Sequence, residues 1–153
     1  AGKGYDDKVV SSPGFCNDRN TRSGDSWVAS GTTFYYAAYG RLVNAKTPTL
    51  ERSNTNDIYT TKVGLITADE VSMAGGVYRQ SNNSYYLYTG QHYWTMSPSN
   101  YYGYAYVFYV SSTGNLYTFD VDWTDYGVRP VLNLSADITL TGEGTQSNPY
   151  VVS

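Results

Sequence analysis

One histidine, His92, one cysteine, Cys16, and one acidic cluster in the second half, Asp120, Asp122 and Asp125, are the side chains of this chain with the most direct chemical potential. A hydrolytic serine needs a histidine base oriented by a third group. Ser97 and Ser99 follow His92 closely, but they sit in a Tyr93-Trp94-Thr95-Met96-Ser97-Pro98-Ser99 block that reads as framework. Structural zinc takes four ligands, mostly Cys and His, so one His with one Cys falls short. The three aspartates could hold calcium through hard oxygen contacts. Their spacing lacks the glycine and the later bidentate Glu of an EF-hand. The pairs Asp6-Asp7 and Asp69-Glu70 cannot flank a glycosidic bond from adjacent positions. The expectation is no enzyme and no resident cofactor, with calcium the one ion the acidic cluster could take. A solvated loop, or direct ligand contact by the same carboxylates, are its other readings.

Tyrosine carries more signal. The chain has 18 tyrosines, and many crowd a run from Asn100 to Tyr126. Tyr offers large contact area at low entropic cost and keeps a hydroxyl for hydrogen bonding. Antibody paratopes use it for that reason, with Ser, Gly and Asn as adaptable partners. The candidate contact residues are Asn100, Tyr101, Tyr102, Tyr104, Tyr106, Phe108, Tyr109, Tyr117, Phe119, Asp122, Trp123, Asp125 and Tyr126. If Ala105, Val107 and Val110 face the core, then Tyr104, Tyr106 and Phe108 or Tyr109 face out by strand alternation. The bland alternative is that most of these rings pack in a second, Tyr-rich core under folded loops.

The rest of the composition bounds the partner. The length of 153 residues suits one domain. Charged residues are only 15% and the net charge is −3. A nucleic-acid binder should show a basic face, and so should an electrostatic membrane binder. No apolar run approaches the roughly 20 residues of a membrane span. One cysteine excludes an internal disulfide. The opening Ala-Gly-Lys-Gly is not a signal peptide, and a mature secreted chain looks this way.

The elements that must position these residues follow in order. Residues 1–30 read as loop anchored by Val9, Val10 and Phe15. Phe34, Ala38 and Leu42 repeat every four residues and predict a helix over 32–43, capped by Thr32 or Thr33. Residues 51–61 read as a connecting loop. Val63 to Ile66 reads as a short buried strand. Thr67-Ala68-Asp69-Glu70 is a capping box that starts a second helix, and Gly75-Gly76 stops it. Residues 80–119 contain no charged side chain and read as short strands with turns, one of them over residues 111–115. Residues 127–134 read as a strong buried strand with Pro130 as a bulge or edge signal.

Four blocks in this order carry a family resemblance: residues 63–70, the Tyr93–Pro98 block, the strand and turn over 105–114, and Gly127-Val128-Arg129-Pro130-Val131. Together with Phe15-Cys16-Asn17-Asp18-Arg19, the chain resembles bacterial surface domains of the formylglycine-generating-enzyme branch of the C-type-lectin fold. The resemblance spans most of the chain. It implies an α+β fold, with two helices on a small twisted antiparallel sheet and a long, loop-rich second half. It implies one domain over residues 1–153 that lacks a first strand and helix or draws them from elsewhere. Formylglycine formation uses two active-site cysteines, so that activity is not carried over to a chain with Cys16 alone. Relatives tend to carry a second cysteine near the position held here by Arg52.

The same fold carries the variable proteins of diversity-generating retroelements, whose changing codons lie between a tryptophan block and a closing Gly-x-Arg strand. The run from Asn100 to Tyr126 is similar in placement. Its Tyr, Asn, Ser, Asp, Thr and Phe are what adenine-directed codon change yields. The expected function is therefore an extracellular recognition domain on a cell or virion surface, part of a larger surface protein. Its partner would be a protein or glycan on another cell or particle, with no nucleic acid and no direct membrane insertion. The competing expectation is a structural subunit of a surface layer or pilus that assembles through the aromatic face.

Overall fold

The computed structural model describes residues 6–27, 33–145 and 147–152. In chain order the elements are β1 (Gly14–Cys16), β2 (Phe34–Tyr35), α1 (Ala37–Tyr39) running on as a π-helix (Gly40–Ala45), β3 (Ile58–Thr60), β4 (Gly64–Leu65) and α2 (Ala68–Ala74). There follow β5 (Tyr93–Tyr101), β6 (Ala105–Val110), β7 (Leu116–Asp120), β8 (Pro130–Val131), β9 (Leu140–Thr141) and β10 (Val151–Val152). The fold is α+β. Its centre is an antiparallel sheet in the order β2-β5-β6-β7, with three two-stranded ribbons, β1-β3, β4-β8 and β9-β10.

The capping box forms as expected. The Thr67 hydroxyl accepts from the Glu70 N–H at 3.1 Å, and the Glu70 carboxylate accepts from the Thr67 N–H at 2.8 Å. Gly75, at φ 120°, ends α2. The helix is docked as well as capped. Ser97 on β5 accepts from the Ala68 N–H at 3.0 Å, which is why a serine can be fully buried there. Ala38, Leu42, Ala68 and Val71 from the two helices then pack on Tyr93, Phe108, Val110 and Leu116 of the sheet.

A buried ion cluster ties these layers to the N-terminal segment. Asp69 receives Arg41 Nη2 at 2.7 Å and Arg52 Nη2 at 3.1 Å, and Asp18 receives Arg41 Nη2 at 2.9 Å and Arg52 Nε at 2.8 Å. Both carboxylates are fully buried. Asp69 also accepts from the Thr49 N–H at 3.0 Å. Arg52 supplies the second positive charge that balances the two carboxylates. Cys16 is free and half-buried, with its thiol 3.6 Å from the Leu50 carbonyl. Burial pushes that thiol up, partly offset by the Arg52 charge.

Several expectations need correction. The first helix starts at Ala37, not Thr32, because Phe34 and Tyr35 pair with Tyr101 and Asn100 on β5. Thr32 lies outside the described residues. Residues 14–16 and 58–60, expected as loop, pair with each other as β1 and β3. The phase of β6 is opposite to the one expected for Ala105 and Val107: Phe108 and Val110 are fully buried, whereas Ala105 is exposed. Residues 127–134 are not a buried strand. Pro130 and Val131 pair with the short β4, Gly127 and Leu134 make single bridges to Tyr93 and Val9, and Val128 and Leu132 stay exposed.

Candidate recognition site

The central sheet has two unlike faces. Along β5, Tyr93, Thr95, Ser97 and Ser99 are buried toward the helices, while Trp94, Met96 and Pro98 alternate onto the other, outer face. Strand pairing sets Tyr109 beside Trp94, and Tyr117 beside Tyr109. The outer face is therefore aromatic across three strands.

The chain then covers part of this face with itself. β7 ends at Asp120, but Gly127 donates to the His92 carbonyl at 2.9 Å and accepts from the Trp94 N–H at 3.0 Å, on the far side of β5. Residues 121–127 must cross the outer face diagonally. On the way Trp123 packs edge-on against Phe119 at 5.3 Å between centroids, and Tyr126 lies 4.7 Å from Tyr109 and 4.8 Å from Trp94. His92 stacks on Tyr126 at 4.7 Å and 15°. Edge-to-face and offset contacts of this kind contribute beyond area burial, about 0.5–1.5 kcal/mol each. The crossing segment explains why Tyr109 is buried while Trp123 remains 46% exposed.

The candidate contact residues consequently divide. Tyr109, Tyr117, Phe119, Trp123 and Tyr126 belong to the outer aromatic face, with Asp122 and Asp125 exposed on the crossing segment. Tyr102 and Tyr104 stand exposed at the turn between β5 and β6. Asn100, Tyr102 and Tyr106 line a cavity of about 340 Å³ on the opposite face, together with Tyr35, Tyr39 and Tyr78. Tyr101 stacks on Phe34 at 5.6 Å. Phe108 is wholly buried against the helices and cannot touch a partner, a consequence of the strand phase corrected above. Thus the alternative of a second core is realised at Tyr109, and the rest of the run remains on two surfaces instead of one.

Sequence reasoning missed the other half of the outer face. There Met96, Pro98 and Val107 floor an open cavity of about 900 Å³. Its walls come from the N-terminal half: Asn17, Asn20, Tyr36 and Tyr59. Asp57 fastens these walls. Its carboxylate accepts from the Asn20 N–H at 2.8 Å and from Asn20 Nδ2 at 2.7 Å, and its carbonyl accepts from the Asn17 N–H at 2.8 Å. No period in the sequence marks these residues, since Asn17 and Asn20 lie in the irregular segment after β1, Tyr36 just before α1 and Tyr59 on β3.

His92 meets aromatic rings, and its buried Nδ1 has no hydrogen-bond partner among the described residues. Among those residues no three His, Cys, Asp or Glu side chains gather as metal ligands, and no helix is long and apolar enough to cross a membrane. The Asp120 carboxyl is pushed up by partial burial and by the Asp122 charge. Arg129 is half-buried, donating to the Leu87 carbonyl at 2.9 Å and lying over the Tyr93 ring.

No family model, curated protein or solved structure matches the chain. The reading of the site therefore rests on its own chemistry.

Burial pushes the Tyr85 hydroxyl up to about 12, and Tyr109 still higher, with a hydrogen bond to Tyr126 adding to the effect of burial. An unfolded tyrosine ionises near pH 10. Between pH 10 and 12 the unfolded chain has lost a proton that the folded chain keeps, so stability falls as pH rises. Urea midpoints should be flat from pH 7 to 9 and drop above about 10, with Tyr85 alone accounting for on the order of 2 kcal/mol by about pH 12. A midpoint unchanged at about pH 11 would mean that these rings are open to water.

Proposed function

We propose that this chain is a non-enzymatic recognition domain of C-type-lectin-like fold, similar to the formylglycine-generating-enzyme branch. It acts outside the cell, on a cell or virion surface, as an adhesin-like module. Its partner is a protein or glycan on another cell or particle. The observation that supports this most is the outer sheet face, where Trp94, Tyr117, Phe119, Trp123 and Tyr126 gather around the buried Tyr109 in one connected aromatic cluster that is still partly open. Tyr102 and Tyr104, 69% and 61% exposed, extend the set beyond the sheet. Clustered aromatics with small polar neighbours are the composition of binding hot spots. The run from Asn100 to Tyr126 also lies where retroelement-driven variation would fall. A reverse transcriptase gene next to a near-copy of the coding segment would support that part of the reading.

A second reading has its own observation. Val128, Leu132, Leu134, Leu140, Tyr150 and Val151 are all more than 40% exposed, which suits a subunit that assembles with neighbours. Sedimentation velocity over a wide concentration range separates the two. A recognition domain stays monomeric with its aromatic face free. Assembly that Tyr104→Ala and Trp123→Ala dissolve would instead make that face a subunit contact and overturn the recognition reading.

A further inference from the structure

The aromatic cluster accounts for one half of the outer face and leaves the cavity of about 900 Å³ beside it without a role. That volume lies within the range of small-ligand sites, about 300–1,000 Å³. Its polar groups and its rings are both arranged for a ligand with hydroxyls and apolar faces. Trp27 lines it with 68% of its surface exposed, held at 5.8 Å from Tyr36 and 5.0 Å from Phe34 between centroids. Tyr59, 51% exposed on β3, lines it as well. A ring kept this open by packing against other rings offers a stacking platform at little further entropic cost.

The amides supply hydrogen bonds. Asn17 lines the cavity, and its Oδ1 is closed off from solvent with no partner among the described residues, so Nδ2 is the amide atom a ligand hydroxyl meets. Asn20 spends its amide N–H on Asp57, which leaves its carbonyl oxygen to accept. One charge completes the lining. Asp18, at φ 49°, turns its carboxylate inward to Arg41 and Arg52, and the next residue, Arg19, is left exposed on the cavity. Arg19 pairs with no described carboxylate, and no acidic side chain is among the described residues of the lining. A guanidinium in that setting selects a carboxylate, with which it makes two parallel bonds.

We infer that this cavity binds a carboxylate-bearing saccharide, its rings stacked on Trp27 and Tyr59, its hydroxyls on Asn17 and Asn20, and its carboxylate on Arg19. The inference rests on the recognition reading and narrows it from protein or glycan to an acidic glycan.

The test is an NMR titration of the intact chain with 3′-sialyllactose and trigalacturonate, against lactose and maltotriose as neutral counterparts. Binding of at least one acidic saccharide, at least tenfold tighter than its neutral counterpart and with shifts centred on the Trp27 indole and Asn17, is the expected result. Arg19→Gln should bring the two classes to within about threefold, and Trp27→Ala should weaken both at least tenfold. Arg19→Gln should leave the urea midpoint unchanged, whereas Trp27→Ala gives up ring contacts with Phe34 and Tyr36 and should lower the midpoint without unfolding the chain. Shifts confined to Trp94 and Trp123 would overturn the cavity as the site while keeping the recognition reading. No binding by any of the four saccharides would overturn the acidic-glycan inference, and the sedimentation result then decides the recognition reading separately.

Discussion

Asp69→Asn should lower the free energy of unfolding by about 3–5 kcal/mol. That is a large part of the roughly 5–15 kcal/mol expected of a domain. The wild-type carboxylate is fully buried and accepts from Arg41 Nε at 3.1 Å, Arg41 Nη2 at 2.7 Å, Arg52 Nη2 at 3.1 Å and the Thr49 N–H at 3.0 Å. An asparagine removes the charge and turns an amide donor toward guanidinium donors. Arg41 and Arg52 would then share Asp18 alone, with the Arg52 side chain only 4% exposed and unable to reach water. The change can be read from the urea midpoint at constant slope. Adding Arg52→Met restores charge balance, so the double variant should lose clearly less than the sum of the two single losses. Strict additivity would show that the four groups do not act as one unit.

Gly114→Ala should cost more than about 3 kcal/mol. Gly114 has φ +78°, and a Cβ there would sit 1.7 Å from the Asn82 carbonyl oxygen. The obstacle is backbone, so no rotamer change relieves it. The surroundings cannot yield cheaply either. Asn82 N–H donates to the Thr113 carbonyl at 3.2 Å, Tyr85 donates to the Gly114 carbonyl at 3.0 Å, and Ser111 receives the Thr113 and Asn115 N–H groups. This turn joins β6 to β7, so its failure loosens the edge that carries Tyr117 and Phe119. Gly103 is the control. It has φ +74° with nothing within 4 Å of a built Cβ, so Gly103→Ala carries only the conformational cost of about 1 kcal/mol. Equal losses at the two glycines, in urea titrations, would mean that the Asn82 contact is not real.

What was legible in the sequence was local. The Thr67 box, the Gly75 stop and the turn over residues 111–115 each depend on side chains within a few positions of one another, and each formed as read. Asp69 shows where that ends. It sits inside the capping box of α2, yet its arginine partners lie 28 and 17 residues away in sequence. Phe34 had the right spacing for a helix and went instead to Tyr101, because an edge pairing with β5 buries it almost completely. Phe108 or Tyr109 was expected outside, and of the two only Tyr109 lies on the outer face, because alternation fixes that neighbours oppose but not which set meets the helices. The decision came from α1 and α2 docking on Phe108 and Val110. The cavity walls were illegible for the same reason: Asn17, Asn20, Tyr36 and Tyr59 meet only through the β1-β3 ribbon and Asp57.

The central claim is that the open rings of the outer face and of the β5–β6 turn bind a partner and do not hold the fold. Trp123 and Tyr104 are the test pair, at 46% and 61% exposure, with Phe108 at 0% as the opposite case. Flow cytometry should compare labelled wild-type chain and the Tyr104→Ala/Trp123→Ala variant on a panel of bacterial cells, alongside urea titration of both. The account predicts that the variant loses cell binding at least tenfold while it stays folded with a stability loss under about 2 kcal/mol, and that Phe108→Ala loses about 3–5 kcal/mol. Unfolding of the double variant, or binding equal to wild type, would contradict it.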